Sequence, residues 1–314
     1  MVAQFGATQA LNLLRVDINS AAAKAAGFLP PYPSFATQAL RTVNQSLRPF
    51  PQYSTIVTGA QNGDKSGHSS YHAFLLKANS RFSKSVTGQW SYAFSKLLTD
   101  SDTYFANSAT AAQDQYNRRL EKSIGQYDRT HTLKFSTIYN LPFGKGQRWF
   151  TKGFMNQAIG GWRIAGIQVY NSGAPLALTR NNPLPIFNGI TRPLVDSYTN
   201  WRVPTIGDRF DPAVDRFFKA ASEFPVQPAA SFGNATRYNP KVRGFFGKSE
   251  NVSLAKTFII HESIKLDFRG EAFNLFNRVI FSNPSLNLNA INFGQVTGQA
   301  NEPRTMQAAL KVYW

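Results

Sequence analysis

The residues best suited to chemistry in this sequence do not assemble into a reactive set. The four histidines, His68, His72, His131 and His261, are the first candidates for metal binding or proton transfer. His68 and His72 stand four apart, a spacing that puts two imidazoles on one face only in a helix. The residues that follow alternate as a strand does, so this pair belongs at the top of a strand. Neither histidine sits with a matching set of carboxylate or thiolate partners. Asp100 and Asp102 flank Ser101, but hydrolysis by paired carboxylates needs a fixed separation that a loop tip does not impose. Gly144-Lys145-Gly146 has too little of the P-loop pattern to cradle phosphate and reads as a basic turn. No Gly-x-Ser-x-Gly elbow occurs. Cysteine is absent, which removes disulfide frames and thiolate sites. The expectation is a protein that is not an enzyme, with no catalytic residue, metal or cofactor.

A different set of charged residues is more informative. Lys265, Asp267, Arg269 and Glu271 alternate with Ile264, Leu266, Phe268, Gly270 and Ala272. A helix would scatter the four charges around its circumference, whereas a strand places them on one face. One face is apolar and the other wet or internally paired. Two roles fit the charged face. It could line a lumen and meet a plug or a passing solute, or its charges could pair across strands and stiffen a wall. Polar interiors are general in wet barrels, which favours the second role.

The final segment repeats the pattern. Arg304, Met306, Ala308, Leu310, Val312 and Trp314 alternate with Thr305, Gln307, Ala309, Lys311 and Tyr313. Tyr71–Phe82, Gln89–Leu98 and His131–Leu141 also read as strands, and Trp162–Gly173 and Asn251–Ile260 do so by residue type. Near the start, Thr8–Val16 reads as the top of a further strand.

The connections alternate in length. Ser83–Thr87 and His261–Ser263 are hairpin turns, and Pro142–Gly160 is of medium length. Roughly fifty residues separate Val16 from Ser69, about thirty separate Leu98 from Arg129, about seventy-five separate Gly173 from Ser249, and about twenty-seven separate Phe276 from Arg304. An up-and-down membrane barrel predicts this, with short turns on the periplasmic side and long loops outside. With Trp314 at the periplasm, every shorter turn falls on one side and every long loop on the other. The loops are rich in Asn, Pro and aromatics, and Pro30-Pro-Tyr-Pro33 and Arg48–Tyr53 suggest extended, polyproline-like pieces.

Composition agrees. Charged residues make up 16% of the chain and aromatics 14%, with 26 Phe; a soluble domain carries roughly 25% charged residues. No run approaches the ~20 apolar residues of a spanning helix, but a closed barrel also satisfies its backbone within lipid. Lys and Arg outnumber Asp and Glu 34 to 17, a formal charge of +17. The basic residues are scattered, so nucleic acid is not an expected partner. The start, Met1-Val-Ala-Gln-Phe-Gly, shows no basic region followed by an apolar core, and the natural N-terminus is expected to lie upstream.

Several pieces carry a family resemblance. They are Leu47-Arg-Pro-Phe-Pro-Gln-Tyr53, Ser91-Tyr-Ala-Phe-Ser-Lys96, and Tyr127-Asp-Arg-Thr-His131 leading to Leu141-Pro-Phe-Gly-Lys-Gly146. Further on come Gly160-Gly-Trp162 through Ser172-Gly-Ala-Pro175, then Leu266–Asn277, Phe293-Gly294, and Pro303-Arg304 up to the terminal aromatic. In this order they resemble the C-terminal barrel region of TonB-dependent receptors, the Oar-like branch in particular. The resemblance implies a plugged barrel of about 22 strands, of which about eight fall here, with the plug absent from this chain.

The reading is an all-β, antiparallel up-and-down transmembrane β-barrel, as the C-terminal portion of a larger barrel in the bacterial outer membrane. Residues 1–68 form a strand end and a long external loop; residues 69–314 form membrane hairpins with long external loops. The expected activity is energy-coupled uptake of a large or scarce solute, such as a siderophore, oligosaccharide or peptide. A non-transport barrel (adhesin, surface or export protein) is the alternative, and a soluble basic β protein that binds nucleic acid is the third. Implied partners are outer-membrane lipid and lipopolysaccharide, the barrel-insertion machinery, the TonB complex acting through the plug, and the solute. Ala308, Leu310, Val312 and Trp314 are the expected assembly signal. Tyr104, Phe105, Trp201 and Arg202, aromatic or cationic and in external loops, are the expected substrate contacts. The positive excess suits an anionic substrate or lipopolysaccharide.

Overall fold

The computed structural model describes residues 1–54, 56, 66–101, 112–114, 116–181, 192–197, 201, 210–228, 231–260 and 264–314. Its main feature is one antiparallel sheet. The strands are β1 (Ser69–Arg81), β2 (Val86–Thr99), β3 (Ser123–Ile124), β4 (His131–Asn140), β5 (Trp162–Asn171), β6 (Pro175–Leu176), β7 (Asn239–Arg243), β8 (Gly247–Ile259), β9 (Lys265–Phe273) and β10 (Thr305–Tyr313). The sheet runs in the order β1-β2-β4-β5-β8-β9-β10, with β3 extending the pairing of β2, while β6 and β7 form a separate ribbon. Each long strand pairs with the next long strand in the chain, so the sheet is an up-and-down meander. Among the described residues it is not closed: β1 and β10 are its two edges. An open sheet is what part of a larger barrel should give.

The short turns lie at one end. Residues 82–85 join β1 to β2, where the Ser83 hydroxyl accepts the N–H groups of Ser85 and Val86, each at 3.1 Å. Between β8 and β9 the Ile260 N–H reaches the Ile264 carbonyl at 3.0 Å. The β4–β5 connection at the same end holds a short helix, Gly153–Ile159. Segments 100–130, 172–246 and 274–304 connect the strands at the other end.

The alternation in sequence becomes two chemically distinct faces. Across β8, β9 and β10 the register pairs Leu254 with Gly270 and Gly270 with Ala308, and Phe258 with Leu266 and Leu266 with Val312. The same face carries Phe74, Leu76, Trp90, Phe94, Leu133 and Phe135. Aromatic rings meet across strands on it: Trp90 with Phe135 at 6.0 Å, Phe135 with Tyr170 at 6.4 Å and Trp162 with Phe268 at 5.8 Å. Lys256 breaks this face, but its ammonium is drawn to the C-terminal end of the 153–159 helix. There it donates to the carbonyls of Ala158, at 2.9 Å, and of Gln157. Carbonyls at a helix end carry partial negative charge and accept a cation readily.

The N-terminal expectation is corrected. Thr8–Val16 is not a strand; Ala7–Arg15 is a helix. Ala10, Leu13 and Leu14 are its buried residues, the i, i+3, i+4 spacing of a helical stripe, and Ala, Gln, Leu and Arg all favour helix. Residues 1–54 are therefore short helices and turns rather than a strand end with a loop. Ser20 and Thr42 cap two further short helices through Ala23 N–H and Gln45 N–H, each at 3.2 Å. Leu14, Ile18, Ala23, Phe35 and Val43 form a small core of their own. The Pro30–Pro33 piece does not continue as polyproline: Tyr32 is extended, and Pro33–Thr37 closes into a 3-10 turn.

The larger dry core is in the long connections, not in the sheet. Leu176, Leu178, Val195, Trp201, Phe217, Phe218, Phe224, Ala235, Val242 and Phe293 pack together. A sheet with one face toward lipid and one toward water has no interior of its own, so the apolar residues of the long loops build one above it.

Candidate functional site

Two features qualify as functional surfaces: the polar face of the sheet and the loop cap at its end. The polar face is built by the residues that alternate with the apolar ones. On β1 to β5 it presents Lys77, Asn79, Arg81, Gln89, Ser91, Lys134, Ser136 and Arg163, in register across four strands. Lys77 pairs with Ser91, and Ser91 pairs with Lys134. A depression of about 260 Å³ lies here, lined by Lys77, Gln89, Ser91, Lys134, Ser136 and Val169 among others. A second, of about 490 Å³, reaches towards Arg81.

On β9 and β10 the wall is charged differently. Lys265, Asp267, Arg269 and Glu271 do share one face. Arg269 and Glu271 form an ion pair at 2.5 Å, Gln307 donates to Glu271, and Asp267 stands opposite Lys311 in the register. The ion pair runs along β9, and the Gln307 amide reaches Glu271 across from β10.

Three Arg–carboxylate pairs organise the cap: two tie it to the sheet, and the third joins two of its own segments. Asp128 follows a turn in which its own N–H reaches the Gly125 carbonyl at 3.0 Å. Its carboxylate accepts the Leu97 N–H at 2.7 Å and pairs with Arg243 at 2.6 Å. Arg243 also donates to the carbonyls of Asp128 and Gly173, so one guanidinium joins two loops. Burial, and then the nearby Arg243 charge, lowers the pKa of Arg129, which Asp128 opposes. Glu121 accepts the Gln113 N–H and is held by two nitrogens of Arg192 at 2.8 and 3.2 Å. Glu250, at the upper end of β8, accepts from Arg278 at 2.9 Å and from the Tyr170 hydroxyl at 3.2 Å. Arg278 is aimed by the turn after β9, where Asn274 and Asn277 take positive φ, a region asparagine tolerates. The Asn274 side chain accepts the Arg278 N–H at 2.9 Å. The chain also comes very close to itself in the cap: a Cβ on Gly233 would lie 1.9 Å from the Arg192 carbonyl oxygen, so only glycine fits there.

Of the expected substrate contacts, Trp201 is fully buried, 0% exposed, with its ring 6.5 Å from that of Phe224. It anchors the cap and presents no surface to a solute. Tyr104, Phe105 and Arg202 lie outside the described residues, as does His261. Of the expected assembly signal, Ala308, Leu310 and Val312 share the apolar face of the edge strand β10, and Trp314 follows it at 92% exposed. His68 and Asp100 adjoin at 3.5 Å, but no group of three or more metal-ligating side chains occurs among the described residues.

The carboxylate clamps went unrecognised in the sequence. Asp128 sits inside the Tyr127–His131 piece, yet its partner Arg243 is 115 positions away. Glu121 and Arg192 are 71 apart. No local pattern links such residues.

No curated protein and no solved structure matches this chain. A family model described as an outer membrane beta barrel domain matches residues 4–307. Nearly the whole chain is covered, and the antiparallel meander with one apolar and one polar face is the architecture that description requires. The chain belongs to the outer membrane beta barrel domain family, and its place is the bacterial outer membrane.

Proposed function

We propose that the chain is the C-terminal part of the barrel of a TonB-dependent outer-membrane transporter of the Oar-like branch. On this reading it takes up a large or scarce solute, such as a siderophore, oligosaccharide or peptide. The observation that carries the reading is the open sheet with a wet face. Unpaired strand edges are not tolerated within lipid, so β1 and β10 call for further strands. A barrel much wider than these strands has room for a plug and a translocated solute. The ordered motifs from Leu47–Tyr53 to Pro303-Arg304 support the same family branch. The plug that this reading requires would come from sequence upstream of Met1, and the TonB complex would act on it. The barrel itself makes and breaks no bond.

The test is in vivo cross-linking of the full-length, membrane-inserted protein to the periplasmic domain of TonB. A cross-link that depends on an energised inner membrane is expected. Its absence from a correctly inserted barrel overturns the transport reading. The folded aromatic cap favours a second reading, a surface-display barrel such as an adhesin, because a rigid loop platform suits contact with another surface.

The reading also makes β10 the strand seen by the barrel-insertion machinery. Deleting Trp314 from the full-length protein should lower the folded fraction on heat-modifiability gels. An unchanged folded fraction counts against the role of this strand.

A further inference from the structure

The two ends of the polar wall differ in a way that charge pairing does not explain. Strands β1, β2, β4 and β5 contain no Asp or Glu at all. They nevertheless place Lys77, Arg81, Lys134 and Arg163 on the polar face. Lys77 and Lys134 are at the same height on either side of Ser91, with their backbones about 10 Å apart at roughly 4.8 Å per strand step. Both lysines are exposed, and their long stems let both ammonium groups converge over Ser91. Gln89 and Ser136, also paired across strands, lie one step below and add an amide and a hydroxyl. The depression of about 260 Å³ sits over this group.

We infer that Lys77 and Lys134, with Ser91, Gln89 and Ser136, form an anion-binding site on the lumen wall, which takes the phosphoryl or carboxylate group of a solute passing through the barrel. This deepens the transport reading and rests on it for the word solute. The chemistry is simple. Two ammonium groups supply charge, the serine hydroxyls and glutamine amide supply donors, and no carboxylate on these strands competes. A lipid headgroup is not the ligand, because the apolar residues Phe74, Leu76, Leu133 and Phe135 take the opposite face of the same strands. In a membrane barrel that face meets lipid. An acidic stretch of polypeptide would also suit the charge, but nothing in the small, open depression selects a chain over a small anion.

The test is calorimetric titration of the full-length protein in detergent with inorganic phosphate and, separately, citrate, at low and high salt. Binding of either is expected, weakened by salt as exposed charge pairs are; the tighter of the two names the group. The double variant Lys77→Gln with Lys134→Gln should bind at least tenfold more weakly, while Lys311→Gln on β10 should bind as the parent does. Heat-modifiability gels establish that each variant is folded. Unaltered binding by the double variant, or an equal loss in Lys311→Gln, overturns the inference. No binding of either anion, with a lower melting temperature in the double variant, also overturns it and assigns the lysines to an acidic polypeptide segment. These titrations contain no TonB, so a failed cross-link with intact anion binding would remove the transport reading and leave the site.

Discussion

The loop cap and the sheet wall manage charge in opposite ways. In the cap, Glu121, Asp128 and Glu250 are almost fully buried, and each is matched by an arginine from a distant segment. On the wall the charges are wet. They pair on β9 and β10, and they carry no acidic counterpart on β1 to β5. Burial explains the difference. A carboxylate removed from water must be met by a cation and by N–H donors or it unfolds its surroundings, so the cap has no freedom to leave charge unmatched. An exposed lysine remains hydrated and costs little to leave unpaired. Unmatched charge can therefore persist on the wall, where it is open to a ligand, but not in the cap.

The strongest way to break this comparison is to remove one partner of a cap pair. Asp128→Ala strands Arg243 and the Leu97 N–H, and loss of one partner from a buried pair costs about 3–5 kcal/mol. Hydrogen exchange should show loss of protection in 125–130 and 239–243 while the strands stay protected. Full protection would mean that the pair does not hold the cap. Trp201→Ala tests the apolar part of the same region. A fully buried aromatic truncated to alanine costs about 3–5 kcal/mol, seen as faster proteolysis of the loops in the folded, inserted barrel. If Trp201 instead touched solute, binding would fall while cleavage stayed unchanged.

On the wall the effects should be small. Arg269 is well exposed beside Glu271, and an exposed pair contributes less than about 1 kcal/mol. Arg269→Ala should move the thermal midpoint only slightly; a shift as large as that of Asp128→Ala would abolish the distinction. The least effect is expected at Asp17, a half-exposed carboxylate. The Asn19 N–H and then Arg41 lower its pKa. A carboxylate with a depressed folded pKa contributes stability above its unfolded value of about 3.9, and that contribution is lost as pH falls through the lower folded value. The N-terminal helices should therefore weaken only below about pH 4, followed by NMR of residues 17–19 and 41–43. Loosening that begins near neutral pH would implicate another group.

Much of the sheet could be read in the sequence because its causes are local. Period-two alternation at Lys265–Glu271 and Met306–Trp314 fixes which residues share a face, and a face needs no distant partner to be recognised. Unequal connection lengths fix which strand ends lie together. The strand expected at Thr8–Val16 fails because adjacent Leu13 and Leu14 cannot share one face of a strand, whereas Ala10, Leu13 and Leu14 make one helical stripe, and Leu14 packs against Ile18, Phe35 and Val43. The loop cap was beyond local reasoning altogether. Trp201 looks like an exposed binding residue until Phe224 and Phe293 close around it, and the Asp128–Arg243 and Glu121–Arg192 pairs exist only because the loops fold back on one another. Local sequence is enough to assign the strand faces, the alternation of short and long connections and the absence of acids from β1 to β5. Tertiary structure alone decided which charges are buried and matched, and it aligned Lys77 and Lys134 on either side of Ser91, because strand register and loop packing depend on contacts between residues far apart in the chain.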